Sequence, residues 1–288
     1  PRIQARRSMV FVYRLLARLP LGWLHGLGGV VGRGVYWFSP TYRRHLRANM
    51  TQAGLPPGLW GPAAAEAGKQ TLEVARIWLR TQAEANALVV EVVGSEHLDE
   101  ARKAGRGVIF LTPHLGCFEI TGQYLAASGD LTALYRPPKS ATLQTLILLG
   151  RQRERLHLAP TNLQGVRSLV KALKRQEMVI LVPDQAPKEG EGVWLRFFGR
   201  YAYTMTLAAR LTETGTPCLM TWGERLPEGR GFRLHFSPPS QPLVGTTVER
   251  AQQINDEIER LVLACPTQYL WGYNRYKRPS GAEPPPEA

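Results

Sequence analysis

Short apolar runs alternate with amphipathic stretches along most of this chain, and that alternation leaves few folds open to it. The runs that read as strands are Val89–Val93, Val108–Leu111, Leu131–Tyr135, Leu156–Leu158, Met178–Val182, Cys218–Trp222 and Phe232–Phe236. Helical patterning falls between or beside them, at Tyr42–Ala53, Ala63–Thr81, Glu96–Ala104, Phe118–Ala127, Leu143–Arg153, Val166–Lys174, Met205–Thr214 and Val248–Leu263. A run such as Val108-Ile-Phe-Leu is apolar on both faces, as a strand covered on both sides must be. The expectation is an α/β fold with a mostly parallel central sheet flanked by helices. Three parts are expected: basic amphipathic helices over 1–55, the α/β domain over 56–278, and a disordered tail over 279–288 containing Pro284-Pro-Pro. The chain opens on Pro1, and an expectation of further N-terminal sequence goes with that.

Charge is unevenly spread. Lys and Arg number 36 and Asp and Glu 23, a net charge of +13. Residues 1–50 hold nine arginines and no acid, and the first acid is Glu66. A second block, 136–176, holds nine Lys or Arg against the single Glu154. Such asymmetry calls for a polyanionic partner: a membrane surface, a phosphorylated ligand, an acidic protein or nucleic acid. The second block contains no Phe, Tyr or Trp to stack on bases, which argues against nucleic acid. In the first block, Leu19–Gly32 gives only fourteen uncharged positions, with Pro20, Gly22, Gly26, Gly28 and Gly29 inside the stretch. A spanning helix needs about 20 apolar residues. The better fit is helices lying in the headgroup region of an anionic leaflet, with Trp23, Trp37, Tyr13 and Tyr36 as interfacial aromatics. No small-residue cleavage site follows, so a secretory signal is not expected.

Cys117, Cys218 and Cys265 are far apart and form no CxxC pair, which excludes a zinc finger or disulfide framework and suits a reducing compartment. The six histidines, at 25, 45, 97, 114, 157 and 235, lack ligand spacing, so no metal is expected.

His114 sits where the Val108–Leu111 run ends, at Thr112-Pro113-His114, and Glu119 follows after four residues. Ligands and catalysis collect at the carboxyl ends of strands in open α/β sheets. A neutral imidazole can take the proton of a hydroxyl, and a carboxylate on its other nitrogen fixes the tautomer and stabilises the imidazolium. Gly116 and the first turn of the following helix offer N–H groups to a developing oxyanion. Alternatives stay open on spacing alone: a histidine satisfied by backbone with Glu119 as a first-turn acid, or a Cys117 thiolate with His114 as its base. Arg136 follows a strand and suits a phosphate. Asp184 follows another, positioned to hold Arg136, bind acceptor hydroxyls or cap a turn.

His114-x4-Glu119 is followed in order by Tyr135-Arg136-Pro137-Pro138-Lys139, Pro183-Asp184-Gln185, Gly192-Val193 with Phe197-Phe198-Gly199, and Gln268-Tyr269-Leu270-Trp271 with Arg275 and Lys277. Together these resemble the late acyltransferases of lipid A biosynthesis, the lauroyl and myristoyl transferases, over almost the whole chain. The family often has Asn-Trp where Cys117-Phe118 stand here. The resemblance implies the glycerolipid-acyltransferase type of fold and an acyl carrier protein thioester as donor, with no other cofactor. It also implies a lipid A precursor as acceptor and the cytoplasmic face of the inner membrane as location. Its catalytic pair is His114 and Glu119, with Gly116, Arg136, Asp184 and Gln185 binding substrate. Related enzymes that acylate glycosylated phospholipids share the pair, so a glycosylated phospholipid or lysophospholipid acceptor stays open, as does a non-catalytic protein whose basic face binds anionic lipid. The cluster Arg151, Arg153 and Arg155, with the Val166–Arg175 helix, is the expected docking surface for an acidic carrier.

Overall fold

The computed structural model describes residues 10–138, 140–151 and 153–287, with backbone alone for 141–143. Arg2, Arg6, Arg7 and Lys139 of the basic blocks lie outside the described residues. Nine strands are present: β1 (Val89–Val93), β2 (Val108–Leu111), β3 (Leu131–Tyr135), β4 (Leu156–Pro160), β5 (Met178–Leu181), β6 (Gly192–Phe197), β7 (Arg200–Met205), β8 (Cys218–Arg225) and β9 (Phe232–Ser237). Seven form one sheet in the order β1-β9-β8-β2-β5-β3-β4. All neighbours run parallel except β8 and β9, which form an antiparallel pair. The mostly parallel α/β expectation holds.

β2 and β5 lie side by side at the centre, with every residue buried. Ile109, Leu111, Val179 and Leu181 face Leu169, Ala209 and Ile258 on one side. Val108, Phe110, Met178 and Ile180 face Ile120, Leu125 and Phe236 on the other. Burial on both faces is why these runs are apolar throughout rather than alternating.

The β6–β7 hairpin was not expected, and it stands apart from the main sheet. Its turn is Phe198-Gly199, with φ of 47° and 74°. Two left-handed residues match the twist of a hairpin, so this Phe-Gly pair is the local signal for it. The expected helix from Met205 accordingly begins at Leu207, because Met205 still pairs with Gly192.

The helix Leu21–Phe38 packs on the helix Trp60–Leu79 with their backbones in contact. A Cβ on Gly32 would lie 2.0 Å from the Ala64 carbonyl oxygen, and one on Gly68 2.0 Å from that of Gly28. One stripe of the first helix, including Leu21, Leu24, His25 and Tyr36, is buried in this contact. The opposite stripe carries Trp23, Leu27, Val30 and Phe38, all exposed. Tyr36 therefore departs from its expected interfacial role: it lies in the core, and its hydroxyl accepts from Arg47 Nε at 2.8 Å. Trp23 and Trp37 stand outward, at 71% and 66% exposure. Among the described residues no helix is long and apolar enough to cross a membrane.

Beneath this contact is a buried ion cluster. Arg225 of β8 donates to both Glu73 oxygens, at 2.7 and 2.5 Å, and to Glu66 at 2.7 Å. His25 Nε2 stands 2.8 Å from Glu73. Burial pushes the Glu73 carboxyl up, but Arg225 and His25 outweigh it and hold it down to about 2. The helix Pro40–Gln52 is tied in as well: Asn49 donates its amide to the Trp271 and Tyr273 carbonyls, at 2.7 Å each.

Candidate active site

Strand register places the central pair of side chains. β2 and β5 are parallel neighbours with Leu111 opposite Leu181. Each strand then runs one residue to a proline and stops: Leu111-Thr-Pro-His114 and Leu181-Val-Pro-Asp184. Proline ends the strand by removing its N–H. Three residues past registered partners, His114 and Asp184 emerge together. His114 Nδ1 is 2.7 Å from Asp184 Oδ1, and the His114 backbone N–H donates to Asp184 Oδ2 at 3.0 Å. The Asp184 side chain is 2% exposed and that of His114 16%, so the imidazole is the half of the pair that meets solvent.

The charge balance suits an ionised carboxylate. Burial pushes the Asp184 carboxyl up, but the charge and two hydrogen bonds of His114, with help from Arg275, hold it below the usual aspartate value. Arg275 is buried and anchored to the Tyr203 carbonyl and Thr204 Oγ1, at 2.8 Å each. With its Nδ1 proton given to Asp184, the ring presents Nε2 as an acceptor. Gln185 Nε2 lies 3.2 Å from that nitrogen, in place to donate to it. The Phe118 ring packs edge-on to the imidazole at 4.8 Å.

The expected contact between Glu119 and His114 is not formed. Glu119 is the second residue of the helix Phe118–Ser128 and is 7% exposed. It accepts from Trp78 Nε1 and Arg151 Nε at 3.0 Å each, and from Arg151 Nη2 on its other oxygen. The physical reason lies in the intervening loop. Gly116 donates its N–H to the Gln268 carbonyl at 3.0 Å, and Cys117 to the Gly223 carbonyl of β8 at 2.7 Å. This staple lets His114 face β5, while the helix that follows turns Glu119 toward Trp78 and Arg151.

The same bonds correct the expectation for Gly116, whose N–H is committed to Gln268 and not free for an oxyanion. Its φ is +58°, and a Cβ there would lie 2.0 Å from the Gly223 oxygen, so glycine is needed to bring the loop against β8. Cys117 is 1% exposed, and burial, then the charge of Glu73, pushes its thiol well above the ordinary value. A thiolate nucleophile is not available there.

Arg136 follows β3 at the same carboxyl edge and is exposed, so it is not held by Asp184. The expected carrier-docking cluster is also rearranged. Arg151 is taken up by Glu119, and burial, which lowers its pKa, is outweighed by that carboxylate, which raises it. Arg153 donates to Gln123 Oε1 at 2.7 Å and to the carbonyls of Ile77 and Arg80, at 3.1 and 2.9 Å, closing the end of the Trp60–Leu79 helix. Arg155 stays exposed. No group of three or more His, Cys, Asp or Glu among the described residues has the geometry to hold a metal ion.

Comparison with known proteins gives the chain a family. The family model for bacterial lipid A biosynthesis acyltransferases matches residues 5–278. The chain is 27% identical over 195 residues to the lipid A biosynthesis lauroyltransferase of Escherichia coli strain K12, covering 66% of this chain and 63% of that protein. It is 28% identical over 194 residues to the palmitoleoyltransferase of the same strain, with 66% and 63% covered. Against that strain's myristoyltransferase it is 24% identical over 188 residues, with 63% and 57% covered. The matched region thus spans a little under two thirds of these relatives' length. With a family match that runs across nearly its whole length, this chain belongs to the bacterial lipid A biosynthesis acyltransferases.

Proposed function

We propose that the protein moves a fatty acyl chain from an acyl carrier protein thioester to a hydroxyl of a lipid A precursor. The observation that carries this reading is the His114 ring, fixed through Nδ1 by buried Asp184 with Nε2 at the carboxyl edge of the sheet. The acceptor hydroxyl takes the place of the Gln185 amide on Nε2. As its oxygen attacks the thioester carbonyl, its proton passes to Nε2, and Asp184 balances the imidazolium charge. The tetrahedral oxyanion is met by the N–H groups of Phe118 and Glu119 in the first turn of the Phe118–Ser128 helix, since that of Ile120 donates to the Cys117 carbonyl. Collapse breaks the carbon–sulfur bond, and the imidazolium returns the proton to the departing thiolate. The products are an ester and the free carrier thiol, with no acyl-enzyme. Glu119 acts through Arg151 and Trp78, as a latch on the helix that follows His114.

The test supplies carrier thioester and lipid A precursor together, and follows thiol release and lipid mass. One added acyl chain per acceptor supports the reading. Thiol release with no acylated lipid, or none at all, overturns it. Cys117→Ser is expected to keep transfer within about tenfold of the parent, because a thiol buried at that pKa offers no thiolate. Steady-state thioester consumption by the folded variant checks this.

The N-terminal helices support the reading that an anionic leaflet, the cytoplasmic face of the inner membrane, is the surface this protein binds. Trp37 and Phe38, 66% and 89% exposed, close the apolar stripe of the Leu21–Phe38 helix, and the arginines of the Pro40–Gln52 helix follow directly. Each cation near an anionic surface contributes about 1 kcal/mol, added to the buried apolar area. Trp37→Ser with Phe38→Ser is expected to reduce co-sedimentation with anionic vesicles by about tenfold or more. Equal sedimentation of variant and parent would contradict the placement.

A further inference from the structure

Arg275 is 2% exposed, and its hydrogen bonds among the described residues go to neutral groups. Nη1 and Nη2 donate to the Tyr203 carbonyl and Thr204 Oγ1 of the β6–β7 hairpin, and the guanidinium carbon lies 5.0 Å from the centre of the Phe197 ring. Nε is buried with no partner among the described residues. Thr204 Oγ1 is itself held by Asn255 Nδ2 at 3.2 Å, from the helix Thr247–Ala264. Burying a cation without an anion in contact is costly. Hairpin and helix thus hold in place a charge that packing alone does not call for.

The chain leading to Arg275 is fastened to both loops of the His114–Asp184 pair. Leu270 donates its N–H to the His114 carbonyl at 3.1 Å. The Tyr273 hydroxyl accepts from the N–H of Ala186, two residues past Asp184, at 3.1 Å. Arg275 donates its own N–H to the Tyr273 carbonyl at 2.9 Å. Tyr269 lines the same small cavity as Arg275 and turns its hydroxyl to the Asp184 carboxylate. The carboxylate whose charge bears on Arg275 is Asp184.

We infer that Arg275 is a positioning residue of the catalytic pair: acting through Asp184, its buried charge sets the pH range in which the His114 ring is free to accept a proton. The inference rests on the acyl-transfer reading for what that proton does. The charged groups are His114 after β2, Asp184 after β5 and Arg275 itself. The phenols of Tyr269, Tyr273 and Tyr276 surround Arg275, and Tyr276 also faces Glu259 and Arg200. A phenol titrates only near 10, and burial pushes Tyr269 and Tyr276 further up, so these rings are neutral where the pair works. With the imidazole neutral, Asp184 and Arg275 cancel. Without Arg275 the pair carries a net negative charge out of water, and that charge holds a proton on the ring to higher pH. A protonated Nε2 has no lone pair for the acceptor hydroxyl, so an over-basic pair loses rate at neutral pH.

The test compares the full chain with Arg275→Met and Arg275→Lys, by NMR titration of the His114 ring and by kcat against pH. Arg275→Met should move the ring's midpoint and the acid limb of kcat upward together, by about one unit or more, the usual effect of a neighbouring charge. Its kcat should then recover toward the parent's as pH rises past the new limb. Arg275→Lys keeps the charge but loses the fork, and its midpoint should stay with the parent's. Thermal melts establish folding, and Arg275→Gln takes the place of Arg275→Met should that variant not fold. A purely structural role would lower Tm and kcat at every pH and leave the midpoint unmoved; that result overturns the inference, as does an equal upward shift in Arg275→Lys. A parent protein that transfers nothing, while the midpoint still moves in Arg275→Met, contradicts the acyl-transfer reading instead and leaves the place of Arg275 standing.

Discussion

His114→Ala and Asp184→Asn are each expected to lower acyl transfer by about 10²–10⁴-fold, the usual worth of a positioned general base. The two losses have different causes. Removing the imidazole removes the base. Asp184→Asn keeps the shape of the side chain but places an amide against Nδ1. An amide N–H there forces the ring proton onto Nε2, and Nε2 then has no lone pair to accept the hydroxyl proton. The effect belongs in kcat, with KM for the thioester little changed, and the double variant should be about as slow as either single one. Glu119→Gln should behave differently. It strips the buried Arg151 of its counter-charge, so its first signature is a lower melting temperature. Steady-state kinetics beside thermal melts separate the two patterns. A Glu119→Gln protein of unchanged stability and abolished kcat would return Glu119 to the chemistry.

The largest stability effect is expected at Arg225. Arg225→Ala leaves Glu73 fully buried without its guanidinium and with His25 still beside it, and breaking such a buried pair costs about 3–5 kcal/mol. For a chain of this size, about 2–4 °C per kcal/mol makes that a fall of roughly 6–20 °C in Tm. Replacing both partners with apolar residues, as in Arg225→Met with Glu73→Leu, should recover most of the loss. The cluster also sets an acid limit. Burial raises the Glu73 carboxyl, but Arg225 and His25 win and bring it to about 2, from 4.5. A carboxyl lowered in the folded state stabilises fully above its unfolded value and loses that contribution as pH falls through its folded value. Stability from Glu73 should therefore be complete above about pH 4.5 and drain away toward pH 2, by an amount on the order of 3 kcal/mol. Denaturant titrations across that window check this, and Glu73→Gln should flatten the slope. An unchanged slope in Glu73→Gln would contradict it.

Much of this molecule was legible from the chain. Continuous apolar runs at Val108–Leu111 and Met178–Val182 mark a sheet covered on both faces, and β2 and β5 are its centre. His114 was placed at a strand's carboxyl end because the run and its proline say where the strand stops. The carboxylate that His114 touches is not legible from spacing within five residues, because the contact comes from register between strands 70 residues apart. The signal was nevertheless written twice: Val-Ile-Phe-Leu-Thr-Pro-His114 and Met-Val-Ile-Leu-Val-Pro-Asp184 share one pattern. Given neighbouring parallel strands, that repetition predicts the pair. Trp78 and Arg151 as partners of Glu119 left no such trace, because both contacts depend on how helices cross. Gly116 looked like a free donor since local sequence does not show that the Gln268 and Gly223 carbonyls approach the loop.

The central claim is that Asp184, and not Glu119, is the carboxylate on the His114 ring. Nitrogen and proton NMR of the imidazole in the intact protein tests it most directly. A proton on Nδ1, shifted downfield by a short bond to a carboxylate, should be present in the parent and in Glu119→Gln and absent from Asp184→Asn. A signal that survives Asp184→Asn and vanishes in Glu119→Gln would contradict the account.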